Sequence, residues 1–249
     1  MVIKKNKKKW KLIIIIPARL ESVRLKKKLL RKIHKVPMIV RVAQNAIQQN
    51  LGEVWVATDS KQILNLCHKN GINSLITSKK NKSGTDRISQ AYKIINKKFD
   101  LIVNLQGDLP VFKKELIQKT ANLFLDPKTE IGSAVCDLKN EDLNDKNIVK
   151  AKVKLNAEKE GFAEDFIRII YDKKNLFHHI GIYAYSPETL EKFVRLKQTK
   201  NEISRKLEQM RAMDNFMKIK LVKVKYTPPS IDTINDLKKI RLLFNSNNS

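Results

Sequence analysis

Leu12-Ile13-Ile14-Ile15-Ile16 is an unbroken aliphatic run that stops abruptly at Pro17-Ala18-Arg19. A strand with one solvated face alternates apolar and polar residues, whereas a strand without alternation is covered on both faces. The run is too short for a signal-peptide core and no small-residue cleavage site follows it. No stretch of the chain reaches the roughly 20 apolar residues that span a bilayer, so no membrane insertion is expected. The run therefore reads as a buried strand, which requires a sheet with helices on both sides.

The rest of the first half supplies such elements. Residues 37–49 place Ile39, Val42, Ala43, Ala46 and Ile47 at helical spacing. Strand-like segments at 54–57, 74–77 and 101–105 alternate with helical patterns at 61–68 and 85–95. Strands alternating with helices imply a mostly parallel, Rossmann-like sheet, in which ligands bind at the carboxyl ends of the strands. The strand ends here are polar or glycine-containing: Pro17-Ala18-Arg19, Thr58-Asp59 and Gln106-Gly107-Asp108. In the second half, 131–136, 151–155, 177–186 and 220–224 read as strands and 201–217 as one charged helix. A last helix over 233–243 starts from Asp232 or Thr233 as its cap. No repeat or Pro/Gly/Ser-rich linker divides the 249 residues, so a single domain is expected, with a basic tail at 1–9 and a frayed tail at 245–249.

Three groups of residues carry chemistry. Arg19, Arg24 and Lys28 follow the buried strand within one loop, an arrangement suited to a triphosphate, which needs several converging cations. Asp108 follows a second buried strand, and Asp232 lies far along the chain. Two carboxylates that meet can hold Mg²⁺, although Asp232 alone also suits a helix cap. Ser83-Gly84-Thr85 is either an ordinary cap or a close-approach turn at a helix N-terminus.

Taken in order, these segments resemble the 3-deoxy-manno-octulosonate cytidylyltransferases, the CMP-Kdo synthetases. Pro17, Ala18, Arg19, Ser22, Arg24, Leu25, Lys28 and Leu30 match the family's P-A-R-x-x-S-x-R-L-P-x-K-x-L, with Lys26 for its proline and Lys27 for its usual glycine. Pro37-Met38-Ile39 matches G-K-P-M-I, with Lys35 and Val36 in its first two places. Val56-Ala57-Thr58-Asp59, Ser83-Gly84-Thr85-Asp86-Arg87 and Asn104-Leu105-Gln106-Gly107-Asp108-Leu109-Pro110 match further motifs, Leu109 replacing a glutamate. His179-Ile180-Gly181-Ile182-Tyr183-Ala184-Tyr185, Leu207-Glu208-Gln209 with Arg211, and Ile231-Asp232-Thr233 with Asp236-Leu237 complete the series. Ile167 stands for a serine before Arg168, and Arg205 for a glutamate.

The resemblance implies a Mg²⁺-dependent transfer of CMP from CTP to 3-deoxy-D-manno-octulosonate (Kdo), with release of pyrophosphate, in a cytoplasmic homodimer serving lipopolysaccharide synthesis. It implies an α/β fold of the nucleotide-sugar transferase type, with a smaller second-half sheet and a dimer contact within 150–195. It assigns Arg19 and Lys28 to the phosphates and Asp108 and Asp232 to the metal. Pro17, Ala18, Ser22, Ser83, Gly84 and Thr85 would line the nucleotide site. Arg24, Gln106, Arg168, His179, Tyr183, Glu208 and Gln209 would line the sugar site. Amino-Kdo or a sialic acid are the nearest alternative substrates.

Composition bears on the rivals. The formal net charge of +26 admits a nucleic-acid-binding protein, which would bind duplex in a steeply salt-dependent way. The lysines are instead spread along every segment and seldom interleaved with aromatics, so no specific nucleic-acid partner is expected. No GxGxxG follows the first strand, which argues against a dinucleotide-dependent dehydrogenase. Cys67 and Cys136 have neither disulfide-framework nor zinc spacing.

Overall fold

A computed structural model describes residues 9–22, 24–170 and 173–246. The basic tail at 1–9 lies outside these except for the exposed Lys9, as do residues 247–249 of the expected frayed tail.

The chain opens with β1 (Leu12–Ala18) and a small hairpin of β2 (Lys32–Ile33) and β3 (Val36–Pro37). There follow α1 (Met38–Gln48), β4 (Gly52–Thr58), α2 (Lys61–Lys69), β5 (Ser74–Ile76), α3 (Gly84–Ile95) and β6 (Leu101–Leu105). Next come α4 (Lys114–Asn122), β7 (Ile131–Cys136), β8 (Lys150–Val153), β9 (Glu160–Ile167) and β10 (Leu176–Tyr185). The chain finishes with α5 (Pro187–Arg195), α6 (Lys200–Arg205), α7 (Gln209–Asp214), β11 (Ile219–Lys223) and α8 (Ile234–Ser246).

Ile13, Ile14, Ile15 and Ile16 are all fully buried. Leu12, Ile14 and Ile16 face a core shared with α1, α2, α4 and α8, while Ile13 and Ile15 face one shared with α3, α5 and α7. Each such side chain removed from water contributes about 1.5–3 kcal/mol, which is why an unalternating run occupies the centre of a three-layer fold.

The helices are capped by their own sequence. The Ser60 hydroxyl accepts from the Ile63 N–H at the start of α2. Ser83 and Asp86 form a reciprocal capping box on α3. Thr233, rather than Asp232, caps the last helix: its hydroxyl accepts from the Asp236 N–H at 3.2 Å, and the Asp236 carboxylate accepts from the Thr233 N–H at 2.8 Å. That helix continues past the expected end to Ser246.

The sheet corrects two expectations. β5, β4, β1 and β6 are parallel, but β10 runs antiparallel against both β6 and β7, and β9 is antiparallel to β11 and β8. The sheet is therefore mixed rather than mostly parallel. The second-half strands do not form a smaller sheet of their own. Among the described residues they extend the first-half sheet into nine strands ordered β5-β4-β1-β6-β10-β7-β11-β9-β8, and β8 also pairs with β10. β10 makes this possible: its register shifts between Ile180 and Tyr183, so its first part pairs with β8 and its last part with β6.

The expected helix over 201–217 is two helices. Lys206 has φ +54°, a left-handed conformation that ends α6, and α7 restarts after Glu208. Lys27 at φ +52° and Lys35 at φ +44° are left-handed as well, and both stand at positions where the resembling family has glycine. A side chain in this region costs roughly 1–2 kcal/mol, and glycine's larger unfolded-state entropy returns about half of that. Lys27→Gly and Lys35→Gly are each expected to stabilise the fold by about 0.5–1 kcal/mol, a Tm rise of about 1–4 °C. Thermal melts of the two variants check this, and a fall in Tm for both would refute it.

Candidate active site

β1 delivers its loop to the carboxyl edge of the sheet. Pro17 packs close to two glycines there: a Cβ on Gly84 would lie 3.4 Å from the Pro17 ring, and one on Gly107 would lie 3.4 Å from the Pro17 carbonyl and 3.2 Å from Leu29. The absence of side chains lets the loops after β1 and β6 and the start of α3 close on one another. Ala18 is buried beneath them and Ser22 is half-buried in the loop.

Asp108 and Asp232 meet. The Asp108 carbonyl accepts from the Ile231 N–H at 3.1 Å, which docks the segment preceding α8 on the loop after β6. Lys28 Nζ then lies 2.7 Å from Asp108 Oδ2 and 3.0 Å from Asp232 Oδ1. Arg24 reaches the same Asp232 oxygen at 3.1 Å and donates to Asn147 Oδ1 at 3.2 Å. Burial disfavours the charged Lys28 ammonium, but the two carboxylates outweigh it and raise its pKa. Because Thr233 does the capping, the Asp232 side chain is left for this cluster. Two carboxylates converging on one cation are the hard oxygen donors that Mg²⁺ takes, with water and phosphate oxygens filling its shell. No group of three or more His, Cys, Asp or Glu side chains that could hold a metal forms among the described residues.

Arg19 takes a different direction. Its guanidinium donates to the Asn81 carbonyl at 2.7 Å, beside the start of α3 and apart from Lys28. Asn81 and Asp86 border a cavity of about 470 Å³ that also touches Lys80, Lys82, Lys197 and Arg211. Ser83 and Gly84 begin α3 at its edge, and Thr85 turns inward, its hydroxyl donating to Glu208 Oε2 at 2.9 Å. Thr85 of the expected nucleotide set is thus hydrogen-bonded to Glu208 of the expected sugar set.

The break between α6 and α7 places Glu208 and Gln209 with Tyr183 around a small cavity. Among the described residues Glu208 Oε1 has no hydrogen-bond partner, although the Arg211 guanidinium lies 3.9 Å from it, and burial raises the pKa of this carboxyl. Burial, together with the Glu208 carboxylate, raises that of Tyr183. Gln106 donates to Asn104 Oδ1 and packs against Gly181 of β10. Arg168 donates to the carbonyls of Lys146, Asn147 and Lys206, so it braces the loop carrying Asn147, and burial followed by repulsion from Arg24 lowers its pKa.

His179 is buried against Ser133, with its Nε2 at 2.9 Å from the serine oxygen. Ser133 donates its only hydroxyl proton to the Ile182 carbonyl at 2.7 Å, so it accepts from the imidazole, which carries its proton on Nε2. Burial depresses the His179 pKa to about 3. Between pH 3 and 6.5 the unfolded chain then binds a proton that the folded one excludes, so His179 removes stability as pH falls through 6.5. Nitrogen-15 spectra of His179 should report the Nε2–H tautomer unchanged from pH 8 to about 5. A titration within that window would overturn this assignment.

Asp59 and Arg87 were visible in the sequence only as parts of motifs. The fully buried Arg87 guanidinium lies 2.8 Å from Asp59 Oδ2 and 2.6 Å from Thr77 Oγ1, and Asp59 Oδ1 accepts from the Leu20 N–H at 3.3 Å. The pair therefore ties the cationic loop to α3. Asn147 and Ser133 were not anticipated. A serine inside the apolar run of β7 is a signal for the second; a loop asparagine offers none for the first.

Residues 13–219 match the cytidylyltransferase family. The chain is 36% identical over 237 residues to the 3-deoxy-manno-octulosonate cytidylyltransferase of Paramagnetospirillum magneticum, covering 93% of this chain and 96% of that one. It is 39% identical to the protein of that name from Bartonella tribocorum, covering 92% and 96%. Its fold superposes with a TM-score of 0.85 on a CMP:2-keto-3-deoxy-manno-octonic acid synthetase complexed with CTP, at 30% identity over 95% of this chain and 99% of that one. With the motifs in order, the aspartates meeting at Lys28, and relatives matched over nearly their whole length, the chain belongs to the cytidylyltransferase family, among the 3-deoxy-manno-octulosonate cytidylyltransferases.

Proposed function

We propose that this protein transfers CMP from CTP to Kdo and releases pyrophosphate. The observation that carries the reading is the convergence of Arg24, Lys28, Asp108 and Asp232 beside the loop after β1. The anomeric hydroxyl of the sugar attacks the α-phosphorus in line. A phosphorus–oxygen bond to the sugar forms as the bond to the β-phosphate bridge breaks, the hydroxyl proton passes to solvent, and pyrophosphate leaves. Positioning and charge stabilisation dominate such a transfer. Lys28, and Arg19 once turned from the Asn81 carbonyl, hold the triphosphate and the departing pyrophosphate. Asp108 and Asp232 would hold Mg²⁺, which when bound supplies positive charge at the phosphates and acidifies a coordinated oxygen. Arg24, Gln106, His179, Tyr183, Glu208 and Gln209, with Arg168 behind them, bind the sugar acid. The neutral His179, whose Nε2–H is held by Ser133, has Nδ1 left as an acceptor rather than a charge to offer.

The enzyme is proposed to act in the cytoplasm as a homodimer through residues 150–195, where Phe162 and Ile169 leave apolar surface uncovered. No helix among the described residues is long and apolar enough to cross a membrane. Pyrophosphate release with each of the four nucleoside triphosphates, with and without Kdo, tests the reading. CTP and Kdo should both be required. Equal turnover with amino-Kdo or a sialic acid would move the sugar assignment, and release without any sugar acid would overturn the reaction.

A further inference from the structure

We propose that Lys28 is the resident counter-ion of the Asp108–Asp232 pair and makes metal entry conditional on nucleotide, an inference that rests on the cytidylyltransfer reading above. The Lys28 ammonium sits at 2.7 Å from Asp108 and 3.0 Å from Asp232, on oxygens that a divalent cation would need. Arg24 shares the same Asp232 oxygen at 3.1 Å. Two carboxylate charges are thus matched by two cations from one loop, and a metal arriving alone must displace an ammonium from both aspartates.

The fold allows that displacement without moving the backbone. Lys28 opens a single 3-10 turn, Lys28–Leu30, whose Leu29 is buried against Gly107. The anchor holds the main chain while the flexible lysine side chain turns. A triphosphate presents several anionic oxygens and competes for that ammonium. When Lys28 moves onto phosphate, the aspartate oxygens are released together, already held at the spacing the ammonium imposed. Metal and nucleotide then favour each other's binding, a reciprocal linkage. The ion pairs are partly solvated, with the Lys28, Asp108 and Asp232 side chains 14%, 24% and 30% exposed, so they add little to fold stability. Their charge matching is better explained as control of the site.

The test uses Mn²⁺, a paramagnetic stand-in for Mg²⁺, titrated into nucleotide-free protein while electron paramagnetic resonance counts the free ion. Removing the competing charge in Lys28→Met should tighten Mn²⁺ binding roughly tenfold or more. Lys28→Arg, which keeps the charge, should stay within about threefold of wild type. Adding Asp108→Asn to Lys28→Met should erase the gain. Mn²⁺ binding by Lys28→Met that is no tighter than wild type overturns the counter-ion role; if Asp108→Asn still weakens binding in that background, the metal site itself stands. Binding unaffected by Asp108→Asn overturns both. Circular dichroism checks folding, and if Lys28→Met is unfolded, Lys28→Gln carries the same comparison.

Discussion

Asp108→Asn and Asp232→Asn are each expected to lower turnover by about a thousandfold, roughly 4 kcal/mol of transition-state stabilisation, while leaving the melting temperature nearly unchanged. Asparagine keeps the volume and one oxygen but removes the charge that a hard divalent cation and Lys28 both require. The folded state hardly depends on these carboxylates, because their ion pairs are partly exposed and Thr233 and Asp236 do the helix capping. Steady-state assays across Mg²⁺ concentration, alongside thermal melts, separate the two effects. Near-normal turnover of Asp232→Asn at limiting Mg²⁺ would remove Asp232 from the metal site. A collapse of Tm in step with activity would mean that the carboxylates act through the fold instead.

The second large effect is on stability. Asp59→Ala leaves the Arg87 guanidinium fully buried without its carboxylate, and among the described residues the Nε of Arg87 has no hydrogen-bond partner even now. Removing one partner of such a pair costs about 3–5 kcal/mol, which for a chain of this length lowers Tm by about 6–20 °C. The Leu20 N–H loses its acceptor at the same time, so the cationic loop loosens and the KM for CTP should rise in whatever protein remains folded. The double variant Asp59→Ala/Arg87→Met tests the cause. With no uncompensated charge left, it should recover most of the lost stability while the raised KM persists. A double variant as unstable as the single one would show that the loss comes from the cavity or the loop rather than from the buried charge.

Much of the framework was legible in the residues because it depends on local, one-dimensional patterns. The unalternating run of β1 demanded cover on both faces, and 3.6-residue spacing marked α1 and α3. Ordered motifs carried the family, since each is a short loop whose chemistry survives as text. β9, α4, α5 and the β2–β3 hairpin are missing from the sequence reading, and what hides β9 is plain: its burial pattern is mixed along the whole strand. The direction of β10 was equally hidden, because strand periodicity carries no sign of parallel or antiparallel pairing, and only its partners β6 and β7 decide it.

The site divides along the same line. That Lys28, Asp108 and Asp232 were worth naming followed from residue type and loop position. That the two aspartates share one ammonium depended on the Ile231 N–H docking on the Asp108 carbonyl, a contact between segments far apart in the chain. Asp232 could equally have capped α8, and the competition was decided by Thr233 and Asp236 forming the capping box, which released the Asp232 side chain. Likewise the break at Lys206 looked like uninterrupted helix, yet it carries Glu208 to Thr85. Sequence by itself determined which groups could be charged, buried or capping, because those properties belong to single residues and their neighbours. Only the tertiary structure determined which of the available partners each group took, because burial and charge compensation are settled by whatever segment arrives opposite.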